Sequence, residues 1–347
     1  MTDHVLVIGG SVAGLALAAA LDPRRVRVTL VEERPDRAGG GTLLALWRGA
    51  LTALDEVGVG EQVRAAGFPE EVVALRDARG RVLTRQRVHL QFTPRAALIA
   101  ALEAAVPDTV ERQIRQVSDP RSLAAELGAD LVVGADGVRS VCRRAAFPGA
   151  DPVVTDWVAL RGHLPRPHEV TSEWWGPGGL FGVTPGPEGT AWFAAVRSDD
   201  RRPVVDRDEV LALAAARFRD WDPYPGEVLT AAGGSADAQR ILVAPPLRRI
   251  VGERLVLIGD AAHAMTPNLG RGANEAIRDA VVLARMIHRD GTKGGPPAFE
   301  RRRHLVGQGL RVTASLAMRT ATSRRAAPVR DRVLRGLPSR ESPPTRG

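Results

Sequence analysis

Three short segments of this chain carry residues whose types and spacing suit the binding of a phosphate-bearing ligand. Gly9-Gly10-Ser11-Val12-Ala13-Gly14 is a turn of the G-x-G-x-x-G kind, with Ser11 where the second glycine is usual. Such a turn offers free backbone N–H groups and the positive end of a helix to a pyrophosphate. Gly9, Ser11, Ala13 and Gly14 are the candidate contacts, and the Ser11 hydroxyl adds a donor for a phosphate oxygen. Glu32 follows Gly14 by 18 residues, where a carboxylate accepts hydrogen bonds from ribose hydroxyls and disfavours a 2′-phosphate. A lone glycine turn also serves merely to pack a helix on a strand. Strand, helix and acid in register favour a dinucleotide, without deciding between NAD and FAD. Two further glycine–aspartate turns, Gly134-Ala135-Asp136-Gly137 and Gly259-Asp260, each follow an apolar run. No Ser-His-Asp or Cys-His set stands out for nucleophilic catalysis, and no spacing suits a metal.

The elements that must position these residues are legible locally. Val5-Leu6-Val7-Ile8 is a continuous apolar run of the kind buried on both faces of a parallel sheet. An Ala- and Leu-rich helix follows to Leu21, Asp22-Pro23 stops it, and Val26 to Val31 gives a second strand. A helix is expected from about Arg48 to Ala66, then a hairpin of Val72–Leu75 and Val82–Thr84. Pro94 opens a helix over Arg95–Val106, and Leu131–Val133 is a third buried strand. From Asp151 to about Ile250, short alternating strands are punctuated by Pro and Gly, and five of the six tryptophans fall here. Leu255–Ile258 returns to the parallel-sheet style. A helix is expected from about Gly272 to His288, with helix continuing to about Ala327 and breaking at Pro328. The fold class is therefore α/β: a Rossmann-like dinucleotide-binding domain (1–68, 86–150 and 251–330) interrupted by a mainly β domain (69–85 and 151–250), with C-terminal helices and a polar basic tail (331–347).

Composition sets the outer bounds. With 347 residues, 44% hydrophobic and 25% charged, the chain is of ordinary globular type and long enough for two lobes. No apolar stretch reaches the ~18 residues of a spanning helix. The run from Val12 to Leu21 has Asp3 ahead of it and a glycine turn behind that, unlike a signal peptide. Cys142 is alone, which excludes an internal disulfide framework and fits a reducing cytoplasm. The net charge of +8 is concentrated: residues 301–347 hold twelve arginines against Asp331 and Glu341, leaving the remainder at −2. That segment has no aromatic for base stacking, and Lys293 is the only lysine among 48 basic residues. Solvated helix surface is the expectation, with neither nucleic acid nor membrane as partner.

Gly134-Ala135-Asp136-Gly137-Val138-Arg139-Ser140-Val141-Cys142-Arg143 and the run from Gly259-Asp260-Ala261-Ala262-His263 through Pro267-Asn268-Leu269-Gly270-Arg271-Gly272-Ala273-Asn274 closely resemble paired signatures of one family. This is the single-component FAD-dependent aromatic hydroxylases with the para-hydroxybenzoate hydroxylase fold. The resemblance implies non-covalent FAD, with Asp260 taking a ribityl hydroxyl and Pro267, Gly270 and Gly272 bringing backbone to the isoalloxazine ring. It places the helix start at Gly272, Ala273 and Asn274 toward the pyrimidine edge of the flavin, Arg95 on the FAD, and Asp136 beside both flavin and nicotinamide donor. Arg143 matches a family arginine, and His263 is read as a structural residue beneath the flavin loop. The implied reaction is hydroxylation of a small aromatic or polyketide-like molecule with NADPH or NADH and O₂, through a flavin hydroperoxide. The alternative is a related halogenase or double-bond reductase, though Trp174-Trp175-Gly176-Pro177 does not match the halogenase pattern.

The sequence departs from the family at Arg271, where glutamine is common, and in the short stretch from Glu111 to Ala129. Gly39-Gly40-Gly41-Thr42-Leu43 resembles the tetracycline-inactivating members and sets Trp47 and Arg48 near the meeting point of flavin and substrate. Arg48 is the one candidate catalytic side chain. Trp157, Arg161, Trp174, Trp175 and Phe193 are candidate pocket walls. Substrate, donor preference and oligomeric state stay open at this point.

Overall fold

The computed structural model describes residues 2–35, 43–165, 168, 170–232 and 236–337. The chain opens with β1 (Asp3–Ile8), α1 (Val12–Ala20) and β2 (Val26–Glu32). It continues through β3 (Leu43–Trp47), α2 (Arg48–Val57), α3 (Gly60–Ala65), β4 (Phe68–Asp77), β5 (Val82–Pro94) and α4 (Arg95–Ala105). Next come β6 (Glu111–Ile114), α5 (Pro120–Leu127), β7 (Leu131–Gly134) and α6 (Val141–Ala146). A second run holds β8 (Val153–Leu164), β9 (Ser172–Gly176), β10 (Gly179–Gly186), β11 (Gly189–Arg197), α7 (Arg207–Phe218), α8 (Pro223–Ala232) and β12 (Asp237–Val243). The chain then returns through β13 (Val251–Gly252), β14 (Leu255–Leu257), α9 (Asp260–His263), α10 (Gly272–Ala321) and α11 (Ala327–Arg335).

Two sheets result. The first has the order β13-β14-β7-β1-β2-β6 and is parallel except for its β13 edge. Val5, Leu6 and Val7 are wholly buried at its centre, as a strand covered by helices on both faces requires. The second sheet has the order β12-β8-β11-β10-β9-β4-β5-β3. The cuts expected at 68 and 86 fall differently from the sheets, because β3 and the whole of β5 pair in the second sheet. Residues 331–335 of the expected tail belong to α11.

Several expectations are corrected. The helix expected over 48–66 is two helices, because Gly58 adopts φ 85° and ends α2. The hairpin strands run well past Leu75 and Thr84. The mainly β region also contains α7 and α8, whose inner faces (Val210, Ala214, Phe218, Val228, Leu229) cover one face of the second sheet. Pro328 does not break a helix but starts one, at a position where a missing N–H costs nothing.

α10 is not straight. Gly291 takes φ 71° and ψ 180° within it. Arg303 Nε nevertheless lies 2.7 Å from Asp279 Oδ1, whereas 24 residues of straight helix would separate them by ~36 Å. The chain therefore doubles back at Gly291 into a helical hairpin. Its first arm packs on the first sheet, and its second arm brings Met318 onto the second sheet.

Candidate cofactor and substrate site

The first turn is built so that only glycine fits its two ends. Gly9 has φ 108°, and a Cβ there would meet Ala135 O at 2.3 Å; a Cβ on Gly14 would meet Gly9 O at 1.8 Å. These close approaches press α1 onto the turn and leave its N-terminal N–H groups facing outward. Glu32 reaches back to the turn: its Oε2 accepts from Gly10 N (2.7 Å) and its Oε1 from Arg34 N (2.8 Å). A carboxylate has further lone pairs, so ribose hydroxyls can still be bound. Arg95, the first residue of α4, donates from Nη2 to Ser11 Oγ at 2.7 Å. That leaves the serine proton free to point outward beside the guanidinium.

The third motif meets the first. Gly259 (φ 57°) is so placed that a Cβ on it would lie 3.2 Å from Ala13 Cβ. Asp260 follows, with its side chain reaching solvent although protein crowds around it. That crowding pushes its carboxyl up, against the pull of His263, Arg95 and Arg143. Among the described residues its carboxylate makes no hydrogen bond. A Cβ on Gly272 would sit 3.7 Å from Asp260 Oδ1, which puts the start of α10 beside that acid. Pro267 begins a short 3₁₀ turn ending at Gly270, with φ 58°. Asn274 is buried and fully engaged: Oδ1 accepts from Trp47 N (2.7 Å), while Nδ2 donates to Ala45 O (2.8 Å) and Gly270 O (2.7 Å). It locks β3 to the loop, and what it, Gly272 and Ala273 hold toward a ligand is first-turn backbone N–H.

Around this loop several buried polar atoms have no protein partner among the described residues: Trp47 Nε1, Thr266 Oγ1, Asn268 Oδ1 and Arg271 Nε. Buried polar groups are normally satisfied. This concentration of orphaned donors and acceptors, with the Cβ-free cradle at Gly9 and Gly14 and the unbonded Asp260, fits a flavin dinucleotide. Arg271 is not a bare positive charge, since its Nη2 bonds to Glu275 Oε1 (2.8 Å) and its guanidinium covers the Trp47 ring at 5.4 Å.

The remaining candidates fall less directly on the site. Asp136 accepts from Ser140 Oγ (2.5 Å) and Cys142 N (3.1 Å), so both its oxygens brace its own loop. Arg143 is wholly buried and donates to the carbonyls of Ala150, Ala261 and Val138, tying the second motif to the third. Arg48 lines an open groove of about 420 Å³ between α2 and α10, together with Arg278 and Arg285. Residues 39–42 lie outside the described residues.

The second sheet presents a row of residues that sequence reading only partly found. Strand register sets Asp237, Arg161, Phe193, Gly182 and Glu173 side by side across five strands. The row lies on the face opposite α7 and α8. The Phe193 ring lies over Gly182, where a Cβ would meet it at 2.2 Å. Arg161 pairs with Asp237 at 3.2 Å. Crowding lowers its pKa, Asp237 partly restores it, and the positive charge of Arg95 lowers it further. Glu173 accepts from Trp175 Nε1 at 3.0 Å, and burial raises its carboxyl in spite of that bond. Glu173 carries no motif and was not a sequence candidate. Trp174 is not a pocket wall: it points to the other face, stacked on Tyr224 at 5.5 Å. Trp157 is likewise packed in the core, against the cluster that includes Met318.

A mainly parallel sheet with a glycine-turn cradle, interrupted by a mixed sheet that is antiparallel except between β4 and β9, defines the class of flavin-dependent oxidoreductases. Comparison with known proteins gives the family. An FAD binding domain family matches residues 2–108 and 104–308. Aurachin C monooxygenase/isomerase of Stigmatella aurantiaca is 31% identical over 310 residues, covering 82% of this chain and 80% of that protein. The 2-heptyl-3-hydroxy-4(1H)-quinolone synthase of Pseudomonas aeruginosa is 30% identical over 309 residues, covering 81% and 80%. Among solved structures, Klebsiella pneumoniae HpxO complexed with FAD and uric acid superposes with a TM-score of 0.83 at 20% identity, covering 96% of this chain and 93% of that one. The chain belongs to the FAD-dependent monooxygenase family with the para-hydroxybenzoate hydroxylase-like fold.

Proposed function

We propose that this monooxygenase hydroxylates a small aromatic molecule held against the Arg161–Phe193–Glu173 row, with NADPH or NADH as donor and O₂ as oxygen source, in the cytoplasm. The observation that carries the reading is that row, an aromatic face flanked by a cation and an acid. Names of relatives point to ring systems such as a quinolone and an aminohydroxybenzoate, in which donors and acceptors sit at opposite ends of a flat ring. Arg161 suits a carbonyl or carboxylate, Glu173 an N–H or O–H, and Phe193 the ring itself.

Bound FAD supplies the redox chemistry between donor and O₂. The chain's residues bind, orient and exclude water. In this reading the half built on the first sheet holds the cofactor and the half built on the second holds the substrate. Glu32 accepts from ribose hydroxyls, the first turn and Ser11 hold the pyrophosphate, and Asp260 accepts from the ribityl chain. The first turn of α10 at Gly272, Ala273 and Asn274 faces the flavin ring, where its positive end favours negative charge. Asp136 and Arg95 support the same site, and no side chain is needed as nucleophile.

The purified protein is expected to be yellow and to release FAD on denaturation. A panel of aromatic compounds should contain one that accelerates NAD(P)H oxidation and gains one atom from labelled O₂. Release of FMN or of no flavin would overturn the cofactor assignment. Chlorinated product in chloride, or a saturated product without new oxygen, would point to a halogenase or reductase instead.

A further inference from the structure

The outward face of the second arm of α10 is built unlike the rest of the surface. Leu305, Gly309, Val312 and Leu316 recur at i, i+4, i+7 and i+11, which is one stripe along a helix. Their inner counterparts Arg303, Gly307, Ala314 and Met318 are buried against the protein, so the stripe faces solvent. Leu305 is 80% exposed, Leu316 61% and Val312 55%. Large apolar side chains so fully exposed on one helix face mark a surface that something covers.

The rim of the stripe decides what covers it. Exposed Arg301, Arg302 and Arg319 flank it, and no acidic residue occurs between 301 and 330. At its C-terminal end Arg319 also opens a cavity of about 780 Å³ lined by Arg197, Arg217, Arg324 and Arg325. Asp156, the one carboxylate lining that cavity, is already paired with Arg197 at 2.6 Å. Asp290, the acid near Arg301 and Arg302, is already paired with Arg289, so a two-fold contact with a second copy would set a net cationic rim against itself. An anionic bilayer supplies both parts that the surface lacks, an apolar layer and a sheet of phosphates.

We propose that this face is a docking surface for an anionic lipid bilayer, with Leu305, Val312 and Leu316 entering the headgroup layer and the arginine cavity taking lipid phosphates. The association is peripheral, because no helix among the described residues is long and apolar enough to cross a membrane. It is independent of the substrate proposed above, and it replaces the expectation of a merely solvated helix surface without a membrane partner, because Leu305, Val312 and Leu316 stand exposed on one face.

The test is co-sedimentation of the full, FAD-loaded chain with vesicles of phosphatidylglycerol and phosphatidylcholine, against vesicles of phosphatidylcholine alone. Binding to the anionic vesicles should be at least roughly tenfold stronger and should fall when salt is raised to about 0.5 M. L305S/L316S and, separately, R319Q/R324Q/R325Q should each lose roughly tenfold in binding while keeping FAD content and melting temperature. Equal affinity for both vesicle types, binding to neither, or variants that bind as the parent does would overturn the proposal. A concentration-dependent dimer dissolved by L305S/L316S would assign the face to a second copy instead. Salt-sensitive retention on an acidic protein matrix, without vesicle binding, would assign it to a protein partner.

Discussion

His263 Nε2 lies 2.6 Å from Asp279 Oδ2, with both side chains buried behind the turn that carries Asp260. Asp279 also accepts from Gly259 N (3.0 Å) and, through Oδ1, from Arg303 Nε (2.7 Å). Arg303 in turn reaches Glu275, which Arg271 and Arg278 also bind. One buried network thus links the motif turn, both arms of α10 and the flavin loop. A Cβ on Gly307 would meet His263 Cδ2 at 2.6 Å, so the second arm closes directly over the ring. His263 is therefore a positioning residue for the Asp260 turn, in keeping with its reading from the sequence.

Breaking this network from one side should be costly. Arg303→Met leaves Asp279 and Glu275 buried with a deficit of positive charge, a situation that typically costs ~3–5 kcal/mol. The expected outcome is a large fall in denaturation midpoint in the FAD-free protein. Arg303→Lys, which keeps the charge but cannot fork between two acids, should recover part of it. A change below ~1 kcal/mol for Arg303→Met would mean the network is dispensable.

The same groups set a pH profile with two limbs. Burial works against the charged His263, but Asp279 outweighs it and raises the imidazole above its ordinary 6.5. Its stabilisation is complete below 6.5 and is lost as pH rises through the elevated folded value. Burial also opposes ionised Asp279 and Glu275, yet His263 and Arg303 hold them below their ordinary 3.8 and 4.5. Their contribution is present above those values and is lost as pH falls through the depressed folded ones. Melting temperature measured across the pH range should therefore decline at both ends. Asp279→Asn should flatten the alkaline decline, because His263 loses the partner that raises it. Superimposable alkaline limbs for parent and variant would contradict the assignment.

How much of this was legible depends on how local each feature is. The first βαβ unit and the Gly259–Asn274 run were readable because strand, turn and helix follow one another within a few residues. The length of β5 was not, since Arg85, Gln86, Arg87 and His89 blur its alternation. α7 and α8 were hidden by proline and tryptophan in their surroundings. Arg303 looked like any other arginine of an arginine-rich segment. Its acids lie 24 and 28 residues earlier in the chain and come alongside only because Gly291 folds the helix back. Glu173 had no local signal at all: its neighbours in the row are assigned by strand pairing, which no short window contains.

Asp260 and Arg95 should separate cofactor affinity from stability. On the proposed assignment, Asp260→Ala would leave ribityl hydroxyls unpaired in the bound state, at ~1–3 kcal/mol for a lost partner, or a roughly 5- to 150-fold larger FAD dissociation constant. The FAD-free protein should not be destabilised, because the surrounding protein already disfavours the charged Asp260. Arg95→Ala should likewise weaken FAD, through loss of the Ser11 contact and of a cation at the first turn. Titration of the apoprotein with FAD measures both, and unchanged affinity in Asp260→Ala would displace the acid from the site.

Glu173 offers the sharpest test of the substrate wall. Its carboxyl is raised by burial despite the Trp175 hydrogen bond, so it becomes charged only at a pH above the ordinary 4.5. A substrate that donates an N–H or O–H to Glu173 should then bind more tightly as pH rises through that elevated value. Glu173→Gln keeps the shape and the Trp175 contact but cannot ionise, so it should abolish this pH dependence. It should also raise KM by roughly 13- to 160-fold, from the ~1.5–3 kcal/mol of one hydrogen bond to a charged group, with a smaller change in kcat. Arg161→Met should raise KM as well, but leave the Glu173 limb of the profile in place. FAD content separates this from the cofactor site, since neither variant should lose flavin. If Glu173→Gln retains the parent's KM and its pH profile, the acid does not face the substrate, and Arg161 and Phe193 must hold the ring without it.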